Sequence, residues 1–188
     1  MISLNDYLQS FSFLTSDIKE ALVQSFEPVS IDKGALLLQP GKTAKELYFI
    51  EQGMIRGYYE KDGKEITHWF GYEGHLCTSY FSFISETPSF EYIQSIEPLK
   101  IQKIKRATLY QLYEQFPLLN RLGREITEQY YIQLEERLYH QHFKEAGERY
   151  QLFCQQKPEV LQRAPLGSIA SYLGISQETL SRIRSKKD

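Results

Sequence analysis

The chain has 188 residues, is 41% apolar and carries a formal net charge of −2, enough length to bury one medium core beside a small second one. No apolar run approaches the roughly 20 residues needed to cross a bilayer. The N-terminus lacks a basic, apolar signal pattern, so a cytoplasmic location without a membrane partner is expected.

From residue 1 to about 27 the pattern is helical, with Leu4, Tyr7, Leu8 and Phe11, then Ile18, Leu22 and Phe26, at steps of three and four. Thr15, Ser16 and Asp17 supply a cap before the second segment. From Val29 to about Ile104 the chain reads as short β runs rich in β-branched and aromatic residues: 36–38, 47–50, 55–59, 66–70, 92–94 and 101–104. Gly34, Gly41, Gly53, Gly63, Gly74 and Pro98 punctuate them as turns. Short strands at this spacing imply an antiparallel barrel or roll, with a short helix expected over 79–84 and Phe81, Phe83 and Phe90 expected to fill its interior.

After Lys105 the chain becomes helical again, and Pro117 marks the entry to a long helix running to about His142. Leu119, Leu122, Ile126, Tyr130, Leu134 and Leu138 recur at steps of three and four, an apolar stripe that must pack on the roll or on a second copy. Gln129 and Gln133 interrupt that seam. A further helix is expected from Lys144 to Gln156, with a break at Lys157-Pro158. This spacing divides the chain into 1–116, 117–142 and 143–188.

Residues 143–188 hold eight Lys and Arg against five Asp and Glu, a basic end on an acidic body. Within them, residues 166–187 read as two short helices joined by a tight turn. Ile169, Ala170 and Leu173 form one apolar side, Gly174 suits a left-handed exit from the first helix, and Ser176 caps the second. Leu180 and Ile183 face inward. Gln177, Glu178 and Arg182 are left on the face that a helix lying in a major groove would present. These three are the candidates for base edges, whereas Ser168, Ser176, Thr179, Lys186 and Lys187 are candidates for phosphate contact. Double-stranded DNA is therefore the expected partner. The sequence reaches Asp188 directly after this helix, so a reduced wing and weaker phosphate contact are expected.

Gln177-Glu178-Thr179-Leu180-Ser181-Arg182 resembles the recognition helix of the cyclic-AMP receptor protein/Fnr (Crp/Fnr) family of bacterial regulators. The order Lys33-Gly34, Pro40-Gly41, 47–53 and Arg56 resembles that family's glycine-punctuated roll. The resemblance covers nearly the whole chain. It implies an α+β fold: an N-terminal antiparallel β-roll of cyclic-nucleotide-binding-like, jelly-roll type, a long dimerisation helix, and a C-terminal helix-turn-helix. It also implies a homodimer on an inverted-repeat operator, and RNA polymerase as a further partner.

In nucleotide-binding members a glycine-glutamate pair accepts from the ribose and an arginine-serine pair holds the cyclic phosphate. A gap-free comparison places Thr78-Ser79 and Ser89-Phe90 at those positions. Carboxylate and guanidinium are both missing, which speaks against cyclic AMP bound in the family's manner. Thr78, Ser79, Ser89 and Phe90 are then the candidate pocket for an unidentified effector, and no cofactor is expected. The two cysteines, Cys77 and Cys154, have no metal or redox spacing, and the N-terminus lacks the cysteine cluster of iron–sulfur members. His68 and His75 lie seven apart without the histidine-carboxylate set that a cupin-like metal enzyme, the enzymatic alternative, would need. The other alternative is a roll whose tail mediates protein contacts only.

Overall fold

A computed structural model describes residues 1–185. Two units emerge: Met1–Gly57 with Phe70–Ile126, and Tyr58–Trp69 with Thr127–Asp188. The division falls inside the long helix, and the tip of one hairpin groups with the C-terminal residues.

The first unit opens on α1 (Leu4–Gln9), where the Ser3 hydroxyl accepts from the Asp6 amide at 3.0 Å, and α2 (Ser16–Gln24). Eight strands follow: β1 (Glu27–Ile31), β2 (Leu36–Leu38), β3 (Glu46–Gln52), β4 (Ile55–Lys61), β5 (Lys64–Gly71), β6 (Leu76–Cys77), β7 (Tyr92–Ser95) and β8 (Leu99–Lys105). They form two four-stranded sheets, ordered β1-β8-β3-β6 and β2-β7-β4-β5, the jelly-roll arrangement. The antiparallel register sets Ile50 beside Ile101 and Leu47 beside Ile104. Phe49, Ile50, Met54, Ile55, Ile93, Ile101 and Ile104 close the interior. Gly53 has φ +102, and a Cβ there would lie 2.5 Å from the Pro98 carbonyl oxygen, so the turn into β4 requires glycine. Asp62 and Gly63 both have positive φ at the β4–β5 turn, as a two-residue hairpin loop of the primed type demands.

Between β6 and β7 lies α3 (Tyr80–Ser85), over the segment expected to be helical. The Ser82 hydroxyl accepts from the Ala44 amide at 2.9 Å and ties it to the roll. Of the three phenylalanines expected inside, Phe83 is buried while Phe81 and Phe90 stack on each other in the open, centroids 4.9 Å apart. Helical geometry separates them: Phe81 and Phe83 are two residues apart on α3, about 200° around the helix, so they cannot share its inner side.

Then come α4 (Arg106–Gln115) and α5 (Pro117–Phe143). The remaining helices are α6 (Ala146–Gln156), α7 (Pro158–Arg163), α8 (Leu166–Tyr172) and α9 (Gln177–Ser185). The Lys157-Pro158 break is itself a helix start, with Pro158 at its first position, where a missing N–H is harmless. Val160, Leu180, Ile169, Ala170, Phe153 and Leu173 form the small core of this region.

Candidate nucleic-acid interface

The turn between α8 and α9 is a complete Schellman arrangement. The Ile175 amide donates to the Ala170 carbonyl and the Gly174 amide to the Ser171 carbonyl, both at 3.0 Å, with Gly174 at φ +67. Ser176 then caps α9, its hydroxyl accepting from the Thr179 amide at 3.1 Å. Leu180 is fully buried and α9 packs on α8 and α6, which leaves the opposite side of α9 outward. Gln177, Glu178 and Arg182 are all exposed, as is Ser176, and Thr179 is half-buried. A hydrogen bond with Ser176 holds the Glu178 carboxyl below its usual pKa, so it is ionised at neutral pH beside the positive end of its helix.

Two of the expected phosphate contacts, Lys186 and Lys187, lie outside the described residues. A third needs correction: Ser168 is only 6% exposed. Three consecutive residues of α8, Ser168, Ile169 and Ala170, are buried, so this short helix is packed on more than one side and Ser168 is withdrawn from the surface.

Sequence reasoning missed what covers α8. The hairpin tip, Tyr58–Trp69, belongs to the same unit. The Ser171 hydroxyl accepts from the Thr67 amide at 2.7 Å and donates to the Glu65 carbonyl at 3.1 Å. The Arg137 guanidinium donates to the His68 carbonyl and sits 4.7 Å from the centroid of the Tyr172 ring. Tyr59 stacks on His68, centroids 4.2 Å apart. No spacing rule marks a serine at the end of one helix as the partner of a strand a hundred residues earlier.

The stripe on α5 also needs correction. Leu119 and Leu122 are 0% and 5% exposed within the chain itself, whereas Leu134 and Leu138 are 46% and 54% exposed. Each step of four residues advances about 40° beyond a full turn, so a run at steps of four drifts around the helix. Ile126 and Tyr130 are half-buried, between those extremes. The open side of the helix includes Tyr131, Leu134, Leu138 and Tyr139.

At the position of the phosphate cassette, Ser79 and Ser89 are 1% and 2% exposed and their hydroxyls lie 3.1 Å apart. The Ser89 hydroxyl also donates to the Glu91 carbonyl and accepts from the Glu91 amide, so Ser79 is the donor between the two. The Thr78 hydroxyl is taken up by the Glu46 carbonyl at 2.8 Å. Phe90, expected in the pocket, is 67% exposed and leaves it. The roll's large concavity, about 810 Å³, lies instead among Leu36, Leu38, Tyr48, Thr78 and Ile93, rimmed by Lys42, Lys45, Lys105 and Arg106. Arg106 is held by Glu86 at 3.1 Å. Among the described residues no group of three His, Cys, Asp or Glu side chains is placed to hold a metal ion, and no helix is long and apolar enough to cross a membrane.

Residues 28–116 match the family described as cyclic nucleotide-binding domain. Residues 28–116 are thus similar to a cyclic nucleotide-binding domain, and a long helix and a small helical module follow them. FixK2 from Bradyrhizobium japonicum has a similar structure, with a TM-score of 0.74 and 22% identity over 86% of this chain and 83% of that one. So do a Crp/Fnr family regulator from Eubacterium rectale (0.73, 16% identity, 95% and 85% covered) and a CooA variant from Carboxydothermus hydrogenoformans (0.71, 18%, 98% and 83%). No curated protein matches the sequence. The fold is that of the Crp/Fnr regulators.

Proposed function

We propose that the protein is a DNA-binding transcription regulator of the Crp/Fnr type, acting as a homodimer on an inverted-repeat operator. The supporting observation is the exposure of Gln177, Glu178 and Arg182 together on a capped helix whose opposite side is locked by the buried Leu180. Arginine suits the O6 and N7 acceptors of guanine, glutamate the cytosine amino group and glutamine adenine. Ser176 and Thr179 stand beside them as phosphate contacts.

The open side of α5 pairs with a second copy in this reading, through Tyr131, Leu134 and Leu138. The dimer would set two recognition helices about one turn of DNA apart, roughly 34 Å. RNA polymerase is a further partner by likeness to the family alone. Cyclic AMP in the family's mode is not the effector here, because Ser79 and Ser89 bring no charge to a phosphate and already satisfy one another.

Selection of bound oligonucleotides from a random pool tests this. An inverted-repeat consensus with affinity falling steeply with salt is expected. Recovery of unenriched sequences would leave a roll that only contacts other proteins.

A further inference from the structure

A second cavity, of about 100 Å³, lies within the C-terminal unit. Arg137 and His140 line it from α5, Arg149 and Lys157 from α6 and its end, and Tyr172 from α8. Four basic side chains thus converge on one small space. Its only carboxylate, Glu136, is exposed and forms no ion pair among the described residues.

Two of the cations are placed in ways the protein alone does not satisfy. The Arg137 Nε is buried and has no hydrogen-bond acceptor, a condition that buried donors rarely tolerate. Lys157 is half-buried, and its ammonium makes no hydrogen bond or ion pair among the described residues, its backbone alone being bonded. Burial, and then the positive field of Arg137, hold its pKa below the usual lysine range, with only Glu159 opposing. Arg149 donates to two carbonyls, Leu173 at 2.9 Å and Lys144 at 2.6 Å, and forms no ion pair among the described residues.

We propose that this cavity binds a phosphate-type oxyanion, free or as the terminal phosphate of a metabolite. The Lys157 ammonium would donate to it, with the Arg137 guanidinium adjacent in the lining. The cavity, about 100 Å³, has room for a small oxyanion together with water. The anion would seat against a guanidinium that also holds the His68 carbonyl and stacks on Tyr172. The site therefore couples to the hairpin tip and to α8, and its occupancy is measurable without DNA.

Titration of the full chain with inorganic phosphate, followed by calorimetry and by thermal midpoint, tests the proposal. Saturable binding is expected, with a rise in midpoint that sodium chloride at equal ionic strength does not reproduce. Lys157→Gln should weaken phosphate binding by roughly tenfold, about 1.4 kcal/mol. In the absence of phosphate the same variant should be as stable as the parent or more so, because it removes an uncompensated half-buried cation. Arg137→Gln should weaken binding similarly. A parallel titration with glucose 6-phosphate assigns the source: equal or tighter binding marks the end of a metabolite, weaker binding free phosphate. A midpoint shift matched by chloride, or phosphate affinity unchanged in Lys157→Gln, overturns the site.

Discussion

Ser171→Ala tests whether the hairpin tip is fastened to α8 by a single hydroxyl. That hydroxyl serves two backbone groups: it accepts from the Thr67 amide at 2.7 Å and donates to the Glu65 carbonyl at 3.1 Å. The two losses are unequal. Glu65 is exposed, so its carbonyl recovers a water. Thr67 is 0% exposed and its own hydroxyl already lacks a partner, so its amide would be stranded. An orphaned buried donor costs about 1–3 kcal/mol, and the substitution should destabilise this unit by about 2 kcal/mol. In hydrogen exchange followed residue by residue, a change of about 2 kcal/mol speeds exchange of the Thr67 amide roughly 30-fold if it opens locally. Amides in β1 and β8, paired inside the first unit, should keep their rates. An unchanged Thr67 rate would show that the tip is held by other contacts, such as the Arg137 bond to the His68 carbonyl, and that Ser171 is incidental.

Three further outcomes follow from the same geometry. Arg182→Ala should lose about 1–3 kcal/mol on a selected operator and relax one base position; fluorescence anisotropy on the cognate site and single-base variants measures both. On α5, Leu138→Glu should shift the mass seen by sedimentation from dimer to monomer with little loss of fold, since Leu138 is half exposed, whereas Leu119→Ala, fully buried, should cost about 2–5 kcal/mol in urea unfolding. Cys77 is buried, with its thiol pushed up to about 12, while Cys154 is half-buried, so at pH 8 a thiol reagent should label Cys154 first and Cys77 only on unfolding.

The elements that could be read from the sequence are those whose signal is local. Gly53, Gly63 and Gly174 mark turns because each has positive φ, and Ser176 announces α9 because a cap needs only the next three residues. The α8–α9 turn was legible for the same reason. What escaped was non-local or angular. The two-residue strand Leu76–Cys77 exists only because β3 pairs with it, Tyr48 beside Cys77. The stripe from Leu119 to Leu138 counts as one face by spacing, yet accumulated rotation carries its first members into the chain's own core and its last into the open. Ser168 looked available because it is polar, but only packing decides whether a hydroxyl at the start of a seven-residue helix meets solvent.

The placement of charge joins these observations. In a nucleotide-binding cassette the guanidinium and the carboxylate stand where Ser89 and Ser79 stand here, and a buried phosphate needs such a partner because an unpaired charge is expensive in the interior. Two serines that satisfy each other and the Glu91 backbone close that position without charge. The cations available to a ligand lie elsewhere: Lys42, Lys45 and Lys105 around the roll's outer concavity, and Arg137 with Lys157 in the C-terminal unit. Of the two, the second holds a buried donor without an acceptor. Because Arg137 touches the hairpin tip and α8 as well, an anion drawn there would act on the module that carries Gln177, Glu178 and Arg182, with no need for the cassette to be filled.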